Sequence, residues 1–125
     1  MLLNRRKEPF RYVLKEPIAF DLHILSINGL PGPDKPVRAE LMDISRSGCR
    51  LALPLQLHPE INNIRIGMDV LLNEDPLYLE GNLCWGREEA GHCSYGVLLD
   101  IAEADRDILP RELRQLAGAS RIIVM

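Results

Sequence analysis

The chain has 125 residues, 46% hydrophobic and 26% charged, which is the composition of one ordinary globular domain and excludes disordered, collagen-like and low-complexity classes. Its formal charge of −3 comes from 15 basic and 18 acidic residues, a poor balance for general binding of DNA or RNA, where affinity is built from many phosphate contacts. No apolar run approaches the roughly 18–20 residues of a membrane helix, and Met1-Leu2-Leu3 leads straight into Asn4-Arg5-Arg6-Lys7 without the apolar stretch of a secretory signal, so the expected setting is cytoplasmic with no membrane insertion.

Residues 1–16 hold five basic side chains against two acidic ones, a local charge of +3 that leaves −6 for the remainder. They read as a flexible basic arm, and 17–125 as the body of a single domain. A basic arm on an acidic body suits a small anionic ligand.

After Pro17, the alternation of Ile18, Phe20, Leu22 and Ile24 with Ala19, Asp21 and His23 predicts a half-buried strand to Ile27. Asn28-Gly29 and Pro31-Gly32-Pro33-Asp34 break it into a loop. Val37, Ala39 and Leu41 give a second strand, ending near Asp43. Gly48 opens a third, with Cys49, Leu51, Leu53, Leu55 and Leu57 on one face. Pro54 has no ladder donor and puts the end of this strand at an edge or beyond the pairing. Ile64–Leu72 is a shorter piece. Leu77, Leu79, Gly81, Leu83 and Trp85 alternate with polar neighbours, and Tyr95, Val97 and Leu99 form the last clear strand. By that alternation Trp85 belongs to the apolar face and reads as core. About six short strands without intervening helices predict a compact antiparallel barrel or sandwich and exclude βαβ units.

Glu103–Gly118 carries Ile108, Leu109, Leu113, Leu116 and Ala117 at spacings of three and four, which predicts one amphipathic helix. Pro110 either begins its main part or splits it, and Gly118 is expected to stop it. Ser120–Met125 is apolar and β-branched, and is expected to pack on the barrel or on a partner.

Cys49, Cys84 and Cys93 show neither an even count nor a CxxC spacing, so no disulfide framework or four-ligand zinc site is indicated. Cys84, His92 and Cys93 could meet across one hairpin around a metal, but small half-buried residues in a sheet are the preferred reading. His23 and His58 read as strand or loop residues. Motifs for a nucleophile elbow, a metalloprotease helix, a phosphate loop or a dinucleotide fold are missing, so the expected class is not an enzyme.

Two segments stand out. One is the arm, Arg5-Arg6-Lys7-Glu8-Pro9-Phe10-Arg11. The other is Asp43-Ile44-Ser45-Arg46-Ser47-Gly48, a polar turn offering a carboxylate, a hydroxyl and backbone N–H groups, with a glycine able to take φ > 0. A carboxylate accepts from the N1–H and N2–H₂ edge of guanine, and an arginine fork suits guanine O6 and N7 or a phosphate. Together they would fit a guanine nucleotide. Asp-x-Ser is also an ordinary turn signature whose oxygens bond their own backbone.

With these motifs in this order the chain resembles the PilZ domain family, bacterial receptors of cyclic di-GMP. That family carries an RxxxR motif in an N-terminal arm and a [D/N]xSxxG motif after it. DISRSG (Asp43, Ser45, Gly48) matches the second. KEPFR stands at the first, with Arg11 matching and Lys7 where the family has arginine. GNLCWGR and YGVLL, around Gly81, Trp85, Arg87 and Gly96, resemble its closing strands. The resemblance covers roughly residues 5–116.

It implies a six-stranded antiparallel β-barrel of split-barrel type with a C-terminal α-helix. The arm would clasp cyclic di-GMP as ligand, with no other cofactor and no metal. Arg5, Arg6, Lys7 and Arg11 would grip guanine faces and phosphates, Asp43 and Ser45 would read a guanine edge, and Gly48 would permit the turn. Trp85 and Arg87 are weaker candidates for lining the site. Ligand binding would order the arm over the barrel and regulate a protein partner in motility, exopolysaccharide or biofilm processes. Lys7 is a point charge without a bidentate fork. Arg6 could replace it by a one-residue shift in register, or the chain acts as a nucleotide-independent adaptor docking another protein. The adjacent Arg5-Arg6 pair points towards two stacked nucleotides, and the oligomeric state stays open.

Overall fold

The computed structural model describes residues 11–124. Six strands carry the architecture: β1 (Tyr12–Ile27), β3 (Val37–Ile44), β4 (Gly48–Leu53), β5 (Ile64–Leu71), β6 (Pro76–Glu89) and β7 (His92–Asp100). Every pairing is antiparallel, in the order β1-β3-β4-β7-β6-β5, and β5 pairs back onto β1. The sheet therefore closes into a six-stranded barrel, which removes the exposed edges an open sheet would leave. Two short strands attach to β1: β2 (Leu30–Pro31) at its end and β8 (Ile122–Val124) at its start.

Alternation does what the pattern predicts. Phe20, Leu22 and Ile24 of β1, Leu51 and Leu53 of β4, Ile66, Met68 and Val70 of β5, and Tyr95, Val97 and Leu99 of β7 all face one shared core. Helix α1 (Ile108–Gly118) follows a 3-10 turn at Glu103–Asp105 and adds Leu109, Leu113 and Leu116 to that core. Each such leucine contributes about 1.5–3 kcal/mol of burial, so Leu113→Ala is the kind of change that would loosen the helix. Asn73 of the β5–β6 turn also ties the helix down, donating to the Glu112 backbone carbonyl at 2.9 Å and to its carboxylate at 2.8 Å.

The boundaries depart from the simple pattern in ways proline and glycine explain. β1 begins at Tyr12, so Tyr12–Glu16 are strand residues even though their charge groups them with the arm. Pro17 lies where the β1–β3 register breaks, between Val13 and Ile18, a place where a missing N–H costs no ladder bond. β4 stops at Leu53, just before Pro54. The loop beyond is held by Tyr95, whose hydroxyl accepts from the Leu57 amide at 2.8 Å and donates to the Leu55 carbonyl. Pro110 falls in the first turn of α1, where its missing N–H has no helical partner to lose. Gly118 is the last helical residue, but the left-handed residue that turns the chain is Ser120, at φ 61°. The C-terminal segment then packs on the barrel as β8.

No helix among the described residues is long and apolar enough to cross a membrane.

Candidate functional site

Two β-bulges build the site. In β3, Leu41 pairs with Leu51 and Asp43 with Arg50, so Met42 is an extra residue. Leu41 and Ile44 can then both enter the core, and Asp43 turns to the outer face. In β6, Leu83 pairs with Val97 and Trp85 with Gly96, making Cys84 the extra residue. Without it Trp85 would follow Leu83 inward. Instead Trp85 is 39% exposed, and the expectation that it is a core residue is corrected.

Because Arg50 and Trp85 both pair with Gly96, the register lays Asp43, Arg50, Gly96 and Trp85 side by side across four strands of the outer face. Gly96 is the gap in this row. A Cβ there would overlap the Trp85 indole, so the ring lies directly over bare backbone. Arg87 sits over the indole, its guanidinium carbon 5.8 Å from the ring centroid, a cation–π arrangement.

At the other end of the row, Asp43 is 2% exposed and receives two arginines. Arg11 Nη1 donates to Oδ1 at 3.1 Å and Arg50 Nε to Oδ2 at 2.9 Å. A buried carboxylate needs such partners, and here both of its oxygens have one. The Arg11 side chain is 49% exposed, so it bridges the buried acid and solvent.

The turn between β3 and β4 holds this pair in place. The Ser45 amide donates to the Gly48 carbonyl at 2.7 Å, and the Ser45 hydroxyl accepts from the Ser47 and Gly48 amides at 3.3 and 3.2 Å. The Ser47 carbonyl accepts from the Leu99 amide at 2.9 Å, tying the turn to β7. Ser45 thus serves its own backbone, and Gly48 is not among the residues with positive φ. The freedom expected of Gly48 is unused. Gly48 lines a notch together with Arg11.

Arg11, Gly48, Cys49, Cys84, Trp85, Gly96 and Leu98 surround a notch of about 130 Å³. Burial, with Asp43 and Cys84 adding to it, pushes the Cys49 thiol up, so Cys49 stays a neutral wall. Of the sequence-predicted residues, Arg11, Gly48 and Trp85 line the notch, Asp43 is bonded to Arg11, Ser45 holds the turn, and Arg87 lies over Trp85. Arg5, Arg6 and Lys7 lie outside the described residues. Arg50 and Gly96 were not singled out as ligand contacts. Arg50 could have been found by counting outward from the turn, which sets position 43 opposite position 50.

The metal alternative does not assemble. Cys93 pairs with Glu88, and Cys84 lies four residues further along β6. His92 bonds Glu89 at 3.2 Å, and no group of three metal-ligating side chains forms among the described residues.

Comparison with solved structures finds the same fold in the Bacillus subtilis inhibitor of motility (MotI/DgrA), with a TM-score of 0.59 at 15% identity. The match covers 93% of this chain and 53% of that one, so this chain spans about half the length of that protein. No curated protein matches the sequence. The PilZ domain family does match, over residues 4–115, a stretch that includes KEPFR, DISRSG and the Trp85–Gly96 strands. The closed six-stranded barrel, the C-terminal helix and this match place the chain in the PilZ domain family.

Proposed function

We propose that the chain is a cyclic di-GMP receptor, and that ligand binding orders the arm over the outer face and alters the surface shown to a protein partner. The observation that carries this reading is the convergence of Arg11, the DISRSG turn and Trp85 on one notch. At about 130 Å³ the notch is smaller than the roughly 300–1,000 Å³ of ligand pockets. It accepts one base edge or phosphate, and the rest of the nucleotide lies on the open face under Arg5, Arg6 and Lys7.

Arg11 is the switch. Half-exposed, it rotates from Asp43 towards a phosphate or a guanine O6 and N7. This frees Asp43 Oδ1 to accept from guanine N1–H and N2–H₂. Arg50 keeps its bond to Oδ2, so the carboxylate never stands unpaired. Trp85 offers a stacking face, and Ser45 keeps the turn in shape. The source of the switch is the ligand's higher affinity for the ordered arm. The protein is a regulator rather than a catalyst, acting in motility, exopolysaccharide or biofilm control.

A nucleotide-independent adaptor is the second reading, favoured by two observations: both Asp43 oxygens already have arginine partners, and Lys7 lacks a fork. Isothermal titration with cyclic di-GMP at about 0.15 M salt, with GMP and cyclic AMP as controls, separates the two. Saturable binding near micromolar, about −8 kcal/mol, is expected, with stoichiometry deciding between one nucleotide and two. Arg11→Ala should weaken it about 5–150-fold, the roughly 1–3 kcal/mol of one bidentate contact. A flat titration of folded protein, turned saturable by Lys7→Arg, would establish the adaptor reading for the native chain.

A further inference from the structure

A second cavity, larger than the notch, lies away from it. It has a volume of about 550 Å³ between β6, the end of β7 and the start of α1. Half-buried Leu77, Ile101 and Ile108 form its apolar wall. Its rim is polar and acidic. Arg65 Nη2 bonds Glu80 at 2.9 Å and Asp100 at 3.0 Å, the Tyr78 hydroxyl donates to the other Glu80 oxygen at 2.8 Å, and Asp105 adds a third carboxylate. Two carboxylates pair with one guanidinium, and a third lines the same cavity. A site of this size and lining takes an apolar group followed by cationic ones.

The chain contains such a segment. Leu2-Leu3 is apolar, and Arg5-Arg6-Lys7 follows within four residues. It is tethered close by. Arg11 lines the notch together with Leu98, and Leu98 and Asp100 point to the same outer face of β7 two residues apart, about 7 Å. Ten residues can span up to about 33–36 Å. The effective concentration of so short a tether is of the order of millimolar, so even a weak contact is occupied.

We infer that this cavity is a second seat for the arm: in the absence of nucleotide, Leu2 and Leu3 enter it while Arg5, Arg6 and Lys7 face Glu80, Asp100 and Asp105. The docking itself is independent of the nucleotide reading. Its regulatory consequence rests on that reading, because cyclic di-GMP would draw the same basic residues to the notch and vacate the cavity, exposing an apolar surface beside α1.

The test uses the full chain with Cys84→Ser, leaving only the buried Cys49 and Cys93, and a nitroxide attached at Leu3→Cys. Methyl spectra are compared before and after reducing the label. Docking is expected to at least halve the signals of Leu77, Ile101 and Ile108, and Asp100→Lys with Asp105→Lys, both exposed positions, should restore them. Loss of signal confined to residues around Arg11 and Tyr12, or equal loss in the charge-reversed variant, would overturn the inference. So would broadening of an isotope-labelled, spin-free copy mixed with spin-labelled protein, since the occupant would then be a second chain. Saturating cyclic di-GMP should also restore the signals. If calorimetry shows no nucleotide binding while the cavity signals are still quenched, the docking stands and the nucleotide reading falls.

Discussion

Asp43 is the residue at which the site and the fold meet. As part of a surface motif it would be expected to tolerate substitution, but at 2% exposure, with Arg11 and Arg50 on its two oxygens, it is a buried ionic group. Asp43→Ala leaves Arg50, itself partly buried, without its carboxylate. The expected cost is about 1–3 kcal/mol, the range for stranding a charged hydrogen-bond partner, seen as a melting temperature lowered by several degrees. Arg11→Ala should cost much less stability, because Arg11 is half in solvent and Arg50 still holds the acid. Asp43→Ala melting at the parent's temperature would mean that the Asp43 pairings contribute nothing to folding. The motif positions 43, 45 and 48 were legible in the sequence. Their surroundings were not, since Asp43 and Trp85 reach the outer face only because Met42 and Cys84 are bulge residues. Period-two alternation cannot reveal a bulge: the extra residue is ordinary in type and shows only when two strands are aligned.

At the level of elements, the root of the arm depends on the far end of the chain. β8 pairs with Tyr12–Leu14, immediately after Arg11, and the Lys15 amide donates to the Arg121 carbonyl at 3.0 Å. Arg121 in turn donates to the Leu72 carbonyl at 2.8 Å, and buried Ile122 packs with Leu14 in the core. Removing the Ile122 side chain should therefore loosen the start of β1 before the rest of the barrel. In Ile122→Ala, hydrogen exchange at the Lys15 amide is expected to quicken at least tenfold, while the amides of β7 keep their protection. A uniform loss across all strands would show instead that β8 supports the whole barrel. That the C-terminal segment packs somewhere was readable from its β-branched residues, but its partner was not. Tyr12–Glu16 carry too little alternation to announce a strand, and on one side Tyr12–Leu14 pair with a segment more than a hundred residues away, while Tyr12 and Val13 pair with β3 on the other.

For the molecule as a whole, six strands and a terminal helix were legible from periodicity, whereas closure of the sheet into a barrel was implied only by the family resemblance. The β1–β5 contact that turns an open sheet into a barrel joins strands about forty residues apart, and alternation fits a sandwich equally well. That seam also organises the acidic surface. Arg65 of β5 reaches over β6 to Glu80 and on to Asp100 of β7, so one guanidinium links three adjacent strands. The Tyr78 hydroxyl, and then Arg65, hold the Glu80 carboxyl below its ordinary value, and burial, with Glu80 beside it, raises Tyr78. A carboxyl whose pKa is lower in the folded chain than in the unfolded one adds stability that is fully present above the unfolded value. That stability is lost as pH falls through the folded value. A tyrosine raised on folding disfavours its anion there, so stability also declines as pH climbs past the ordinary tyrosine value, about 10. Melting temperature should therefore form a plateau through neutral pH and fall on both sides, the acid side as pH drops below the ordinary glutamate value, about 4.3. Glu80→Gln removes one contributor to the acid decline, and its melting temperature should drop less steeply across that decline than the parent's, from a lower plateau. Parallel slopes would move the acid sensitivity from the Arg65 network to other carboxyls, such as Glu89, which Ser94 chiefly holds down, or Glu60, held down by its own backbone and by His58.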